Sequence, residues 1–534
     1  MIGSSVRHAA AQRGRLSPGG PLALFLMVGL SIATVVWGVA FITARPSLEL
    51  EEYLLLTGAF GLASAGFVIP RLKANSAQFF DFPVFITITV FLRFAIVPID
   101  SFFHLRQLTA TSTLDPALLP HALFLVAIGM VAFWYGSSVG RPKKNPTRGA
   151  ESSRATSSTI TQNNSVLIFV IILVLVGQAA RLYLLVNHLY SYTASSEALY
   201  QHLALVQVLA VVSEAGTCAL LLAAIEKYGH PSDASRRVLF YVVLGLECIW
   251  ALISGYKGVF LWNLLLVVIV ASRIRQRLRV TWLIGLPLML IVFYPISNQY
   301  RNLIHGGEMG DVTSLGSAQK IGAQAMSDTI AGTQGMNDWF SRGMELSLQR
   351  LDALQTVGAV LYLGSLGDSL RTRGHWWMLP FFPFIPRFIW TSKPIEDVGL
   401  KLTVRLGGPP TANTSITHPG DAYLEFGLPG VIICMFVLGI VSEWLTRLGS
   451  GTLNKRRLFV FVSIFSLVVD MEVDVFAYWT GLIRWLVVSA VIAWVVYRPR
   501  AASVRTPVST RRYKPSRRFH VGPARKAFNP ERGA

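Results

Sequence analysis

The sequence predicts an all-α polytopic membrane protein with about twelve transmembrane helices. Composition is the first reason. Of the 534 residues, 52% are hydrophobic and only 14% charged, with a mean hydropathy of +0.50, whereas a soluble chain of this size carries far more surface charge. The second reason is a recurrence of apolar stretches near the roughly 20 residues that a helix needs to cross the hydrocarbon. The third is where positive charge falls. Lys and Arg outnumber Asp and Glu by 48 to 28 and crowd onto every second connection. Short cytoplasmic loops hold such charge, so this face is assigned to the cytoplasm, with both termini on it. The net charge of +20 then reads as attraction to anionic lipid head groups, not as nucleic-acid binding.

The expected spans follow in order. A basic arm, 1–20, with Arg7, Arg13 and Arg15, precedes span 21–43, which is too long for a signal h-region and is read as retained. Span 52–70 stops at Arg71 and Lys73; 82–99 and 117–137 follow, and a polar linker, 141–164, carries the next basic cluster. Spans 165–187 and 203–225 end at the inside loop of Lys227, Arg236 and Arg237. Spans 238–254 and 258–272 form a tight hairpin about Gly255, Tyr256 and Lys257, and the basic run 273–279 leads into 281–297. Spans 428–446, 457–472 and 480–497 complete the set, flanked by the basic run 447–457 and the tail from Arg498. The organisation is therefore a basic arm (1–20), nine spans (21–297), one long extracytoplasmic loop (298–427), three spans (428–497) and a basic, Pro-rich tail (498–534) expected to be disordered.

The long loop is the place with room for extracytoplasmic chemistry. Between Met344 and Leu361, apolar residues recur roughly at helical spacing (Leu346, Leu348, Leu351, Leu354, Val357, Val360 and Leu361), which predicts an amphipathic helix. Residues 375–390 follow, with Trp376, Trp377, Phe381, Phe382, Phe384, Phe388 and Trp390 broken by Pro380, Pro383 and Pro386. That stretch is too short and Pro-rich to span, and its aromatics fit the membrane interface. Arg387 and Lys393 set two positive charges there, a planar fork and a point charge, both suited to phosphate oxygens. His418, Asp421 and Glu425 offer titratable groups just before the tenth span, the last two on one helical face if that helix begins early. Arg301 stands just outside the ninth span. Cations beside an acid or base at an outer membrane face suit binding of a lipid diphosphate and its displacement by a hydroxyl.

Several residues stand apart from that loop. Arg93, Arg181, Glu214, Glu247 and Arg484 lie in apolar stretches, where charge is costly and must face a partner or a polar cavity. Glu214 with Arg181 is one expected pair, and Arg181 and Arg484 are also candidate substrate contacts. Asp470, Glu472 and Asp474 could hold a divalent cation, but a pairing with Arg484 is the favoured reading. Cys218, Cys248 and Cys434 fall in apolar spans with no CxxC or Cys/His spacing. No Walker loop, HExxH or Ser-His-Asp signature is present. The expectation is an enzyme without metal or cofactor.

The pattern Pro386-Arg387-x-Ile389-Trp390-x-x-Lys393-Pro394, then Thr414-Ser415-Ile416, then Gly420-Asp421-Ala422-Tyr423-Leu424-x-Phe426-Gly427-x-x-Gly430 opening a span, resembles the Wzy-type O-antigen and oligosaccharide repeat-unit polymerases of bacteria. The wider clan includes the O-antigen ligases, to whose His-containing motif residues 418–430 are similar. Looser agreement extends to Ser254-Gly255-Tyr256-Lys257-Gly258 and Tyr300-Arg301. Thr391 departs from a common Pro, Asp421 from Glu and Lys257 from Arg. The resemblance implies a GT-C-like membrane glycosyltransferase in the bacterial plasma membrane. Its substrate would be a polyprenyl-diphosphate-linked oligosaccharide, polymerised at the outer face for O-antigen, capsule or exopolysaccharide, with a flippase and a chain-length regulator as partners. The acceptor hydroxyl attacks the donor's anomeric carbon and lipid diphosphate leaves. His418, Asp421 and Glu425 are then catalytic candidates, with His418 or Asp421 as base. Arg301, Arg387, Lys393, Tyr423, Lys257, Arg181 and Arg484 become candidate contacts to substrate or diphosphate. A ligase and a precursor flippase are the rival readings, ahead of a purely structural scaffold.

Overall fold

The computed structural model describes residues 50–74, 76–102, 117–141, 165–190, 202–275, 277–278, 280–305, 314–332, 336–365, 385, 389–390, 398–408, 414–450 and 454–497. Their regular secondary structure is all helical, with no strand among the described residues. In chain order the helices are α1 (Leu50–Ala74), α2 (Phe82–Phe91), α3 (Leu118–Gly140), α4 (Ser165–Val186), α5 (Leu203–Ser213), α6 (Ala215–Gly229), α7 (Ala234–Ile253), α8 (Lys257–Arg275) and α9 (Val280–His305). There follow α10 (Leu315–Ala331), α11 (Met336–Leu351), α12 (Leu354–Ser365), α13 (Val398–Arg405), α14 (His418–Ser450), α15 (Lys455–Ser463), α16 (Phe465–Val469) and α17 (Val475–Val496). Among the described residues, eight helices are long and apolar enough to cross a membrane, so the chain is a multi-pass α-helical membrane protein. Of the other expected spans, 21–43 lies outside the described residues, and 238–254 and 281–297 fall within α7 and α9. Span 457–472 is divided into α15 and α16, each too short to cross alone.

The tightest helix pair is α3 against α14. A Cβ on Gly136 would meet the Phe436 carbonyl oxygen at 2.1 Å, and one on Gly439 would meet that of Phe133 at 2.1 Å. Small residues at spacings of three to four let the two backbones touch, which is how helices associate where lipid removes the hydrophobic drive. Around this seam Phe60, Phe67, Phe80, Phe82, Trp134, Phe461 and Phe465 form an aromatic core. Trp134 donates its indole N–H to Thr87 Oγ1 at 3.0 Å, so the core carries no stranded donor there. The outward sides of α4 and α17 stay apolar and exposed, with Ile168, Ile171, Leu175, Val491 and Trp494. Such faces belong against lipid tails.

Several of the described basic residues expected to share one face meet at one end of the bundle. There Glu443 lies against Arg71 and Arg141, at 4.0 and 3.5 Å, and accepts from Ser137. Arg273 pairs with Asp81 at 2.7 Å; burial pushes the Asp81 carboxyl up and the guanidinium opposes it. Glu226 gathers Arg236 at 2.5 Å and Lys455 at 2.7 Å. Arg456 donates to the Tyr497 carbonyl, closing α15 onto the end of α17.

At the opposite end, the expected long loop is mainly helical where described. The amphipathic segment 344–361 is two helices, not one. The chain breaks at Asp352, whose carboxylate accepts from the Leu354 N–H at 3.2 Å and from the Gln355 amide at 3.1 Å, so α12 starts afresh there. Helix α12 is then buried (Leu354, Val357, Ala359 and Val360 are all 0% exposed). The 254–256 turn is the tight hairpin expected, and Gly255 adopts φ +67° in it.

Candidate functional site

Residues 414–421 lie along residues 471–475, and this junction is built mainly from backbone hydrogen bonds. The Ser415 hydroxyl donates to the Glu472 carbonyl at 2.6 Å, and the His418 N–H donates to the Met471 carbonyl at 3.0 Å. Asp421 Oδ2 accepts the Val475 N–H, the first of α17, at 2.8 Å, so a carboxylate sits at the positive end of that helix. Asp474 caps the same helix through the Ala477 N–H at 2.6 Å; burial pushes its carboxyl above the usual range while the N–H groups of that turn oppose the shift. Asp470 accepts from the Glu472 N–H at 3.1 Å.

His418 opens α14 and is fully buried. Its ring stands edge-on to Tyr478 with centroids 4.3 Å apart and the Val473 backbone as a polar neighbour. Neither ring nitrogen completes a hydrogen bond among the described residues. Asp421 is 3% and Glu425 8% exposed, and Tyr423 packs half-buried between two apolar clusters. Helix α14 does begin early enough to put Asp421 and Glu425 on one face. It kinks at Gly427, whose φ of +65° and ψ of −154° suit glycine alone. The kink brings Gly430 against Ala422, where a Cβ would meet the carbonyl oxygen at 2.3 Å.

Sequence reasoning flagged Arg93 only as a buried charge, yet the structure places it at this junction. It lies in a π-helical turn, Leu92–Ile96, and Tyr53 donates to the Phe94 and Ala95 carbonyls of that turn at 3.2 and 3.0 Å. Single π turns recur at functional sites. Arg93 forms an ion pair with Glu472 and donates Nε–H to the Leu351 carbonyl at 3.2 Å. This corrects the expected pairing of the 470–474 acids with Arg484. Among the described residues Arg484 makes no ion pair; it is exposed and acts on Glu214 through space.

A second cluster unites two stretches through a contact between residues 47 apart in the sequence. The Tyr300 hydroxyl donates to the Ile253 carbonyl at 3.2 Å, beside the turn leading to Lys257, which opens α8. Tyr300, Ile253, Tyr256 and Phe293 line a mostly apolar cavity of about 560 Å³, a volume typical of ligand sites. Half-buried Arg301 follows Tyr300 on α9. Deeper in the bundle, Arg181 binds Glu247 through both arms of its fork, at 2.6 and 2.9 Å, where Gly177 and Gly216 let α4 and α6 approach. Arg181 was expected to meet Glu214; Glu247 takes it instead. Arg387 and Lys393 lie outside the described residues.

Comparison with known proteins gives one match. A family model described as a domain of unknown function (DUF8712) matches residues 172–466, more than half of the chain. The span includes Arg181, Lys257, Arg301, His418, Asp421 and Glu425, and excludes Arg93, Glu472 and Arg484. No curated protein and no solved structure matches.

Proposed function

The chain belongs to the DUF8712 family, and from that premise we propose that it polymerises lipid-diphosphate-linked oligosaccharide repeat units at the outer face of a bacterial plasma membrane. The observation that carries the reading is the meeting of Tyr300 with Ile253 at the 560 Å³ cavity. Tyr256 and Tyr300, from the two stretches chosen for their resemblance to repeat-unit polymerases, both line this cavity, whose apolar wall suits a lipid chain, and Arg301 follows Tyr300 in the chain. In this reading the basic end faces the cytoplasm, and twelve GT-C-like spans carry the site on the other side.

Diphosphate is a good leaving group, so catalysis needs charge stabilisation more than an acid. In this reading Arg301, Arg387, Lys393 and Lys257 supply it. The base on the acceptor hydroxyl, worth typically ~100- to 10,000-fold, is His418. Asp421 is the weaker candidate because its carboxylate already holds the Val475 N–H, whereas a neutral His418 keeps one ring nitrogen with a lone pair able to take a proton. Glu425 and Tyr423 line the same turn. Arg181 is committed to Glu247 and serves the fold. Transfer to a different acceptor, as a ligase performs, would use the same groups.

The test is reconstitution of the full chain in nanodiscs with a synthetic polyprenyl-diphosphate repeat unit. The wild type is expected to give a ladder of extended products with or without chelator, and Arg301→Ala, Arg387→Ala and His418→Ala to lose it while remaining folded. A wild type that leaves the substrate intact, or ladders unchanged in all three variants, overturns the reading. Export of the intact substrate across sealed vesicles would point to the flippase instead.

A further inference from the structure

The apolar span Leu205–Gly229 is interrupted near its middle. Helix α5 ends and α6 begins at Glu214, at φ −70° and ψ −7°, two residues before Gly216. The facing span is interrupted too, between α15 and α16 at Ile464, at φ −94° and ψ −1°. Both torsion pairs lie near the sparsely populated bridge between helix and strand, where active-site residues collect. The two interruptions flank one cavity of about 130 Å³, lined by Glu214, Thr217, Ser463, Ser466 and Trp485 among others.

The lining is a set of hard oxygen donors around one negative charge. Glu214 lines the cavity and is exposed, and Thr217 adds a hydroxyl one turn along the same helix. Ser463 donates its proton to the Phe459 carbonyl at 2.7 Å, which leaves its oxygen lone pairs for a donor or a cation. Ser466 adds another hydroxyl. The charged groups acting on Glu214 are Arg181, Glu247 and Arg484. The Arg181 fork is used on both arms by Glu247, and Arg484 stays beyond ion-pair distance among the described residues. Cys218, also on the wall, is a free thiol. A carboxylate at membrane depth must be neutralised, and the nearest guanidinium is already spent.

We infer that this cavity binds a single monovalent alkali cation, Na⁺ or K⁺, on Glu214, Thr217, Ser463 and Ser466, in competition with a proton on the Glu214 carboxylate. One carboxylate and neutral hydroxyls suit a single positive charge; Ca²⁺ sites recruit more carboxylates. The two interrupted helices are the arrangement by which membrane proteins expose oxygen ligands at depth while keeping the rest of the backbone paired. The inference stands on the bundle and is independent of the chemistry proposed for the other site.

The test uses full-length protein in nanodiscs and dicyclohexylcarbodiimide, which modifies protonated carboxyls in apolar surroundings, with Glu214 followed by peptide mass spectrometry. Labelling is expected to fall as pH rises and, at fixed pH, to fall several-fold when NaCl or KCl replaces choline chloride. Radioactive sodium or its potassium analogue rubidium is expected to bind once per chain, not to bind Glu214→Gln, and to bind Thr217→Val and Ser466→Ala more weakly. The last two keep the test alive if Glu214→Gln fails to fold. Labelling that is equal in Na⁺, K⁺ and choline, no labelling at any pH, or cation binding unchanged in Thr217→Val and Ser466→Ala overturns the inference.

Discussion

The two ends of the bundle use charge in different ways. At the basic end, acids and cations on neighbouring helices hold one another: Glu226 with Arg236 and Lys455, Asp81 with Arg273, Glu443 with Arg71 and Arg141. At the far end, apart from the Arg93–Glu472 ion pair, the polar side chains are held chiefly by main chain. Asp421 takes the Val475 N–H, Asp474 that of Ala477, Asp470 that of Glu472, and Arg93 the Leu351 carbonyl. Reciprocal ion pairs fasten helices together. Side chains pinned to backbone are fixed in position whatever their neighbours do, which is what a site needs from the residues around it.

The comparison breaks if damage to the basic end alters chemistry as much as folding. Glu226→Ala is the strongest such test, because it removes the closer of the two acids paired with the fully buried Arg236, leaving Asp233 at 3.0 Å, and takes the partner of Lys455 as well. Removing one partner of a buried pair costs about 3–5 kcal/mol. Thermal unfolding in detergent should show that loss, while turnover per folded molecule stays at the wild-type level. Next in size is Gly427→Ala at the far end. A side chain in that backbone region costs about 1–3 kcal/mol, and here turnover should fall along with the melting temperature, since the kink seats residues 418–426.

Asp421→Asn sharpens the contrast further. It keeps the shape but removes a negative charge from the start of α17, worth about 1 kcal/mol; a melting shift no larger than that, with slower turnover, fits a positioning carboxylate. The smallest effect belongs to pH at the basic end. Burial, with Lys455 and Arg236 close by, lowers the His230 pKa below its ordinary 6.5. The folded state then binds fewer protons than the unfolded one between those two values. Stability is therefore full above about 6.5 and declines as pH falls through that window. His230→Gln should flatten the decline in a melting-temperature series from pH 7.5 to 5, a range of about one unit either side of the histidine midpoint.

Hydropathy made the long spans legible: α1, α3, α4 and α8 fall where apolar runs and basic stops put them. The 254–256 hairpin was legible because two apolar runs flank a glycine turn. The break at Glu214 lies within one apolar run, so Gly216 did not mark it as a turn; it arises from tertiary packing around a cavity. Partners were harder still. Arg181 faced two acids in the sequence, and only the relative rotation of α4, α6 and α7 selects Glu247 over Glu214. Arg93 and Glu472 are hundreds of residues apart, so their pairing has no local signature. Of the candidate site, the sequence found the 418–425 turn and the 300–301 pair, and missed what each of them touches.

The seat of His418 is furnished by residues 471–475, which leave the ribosome more than fifty residues after it. During synthesis the turn that opens α14 must therefore wait, with its polar groups open to water, until α16 and α17 have been threaded into the bilayer. A chain halted after α14 would hold most of its apolar segments in place and still lack this junction, so assembly of the site is the closing event of biogenesis, and membrane insertion alone is no measure of a competent molecule.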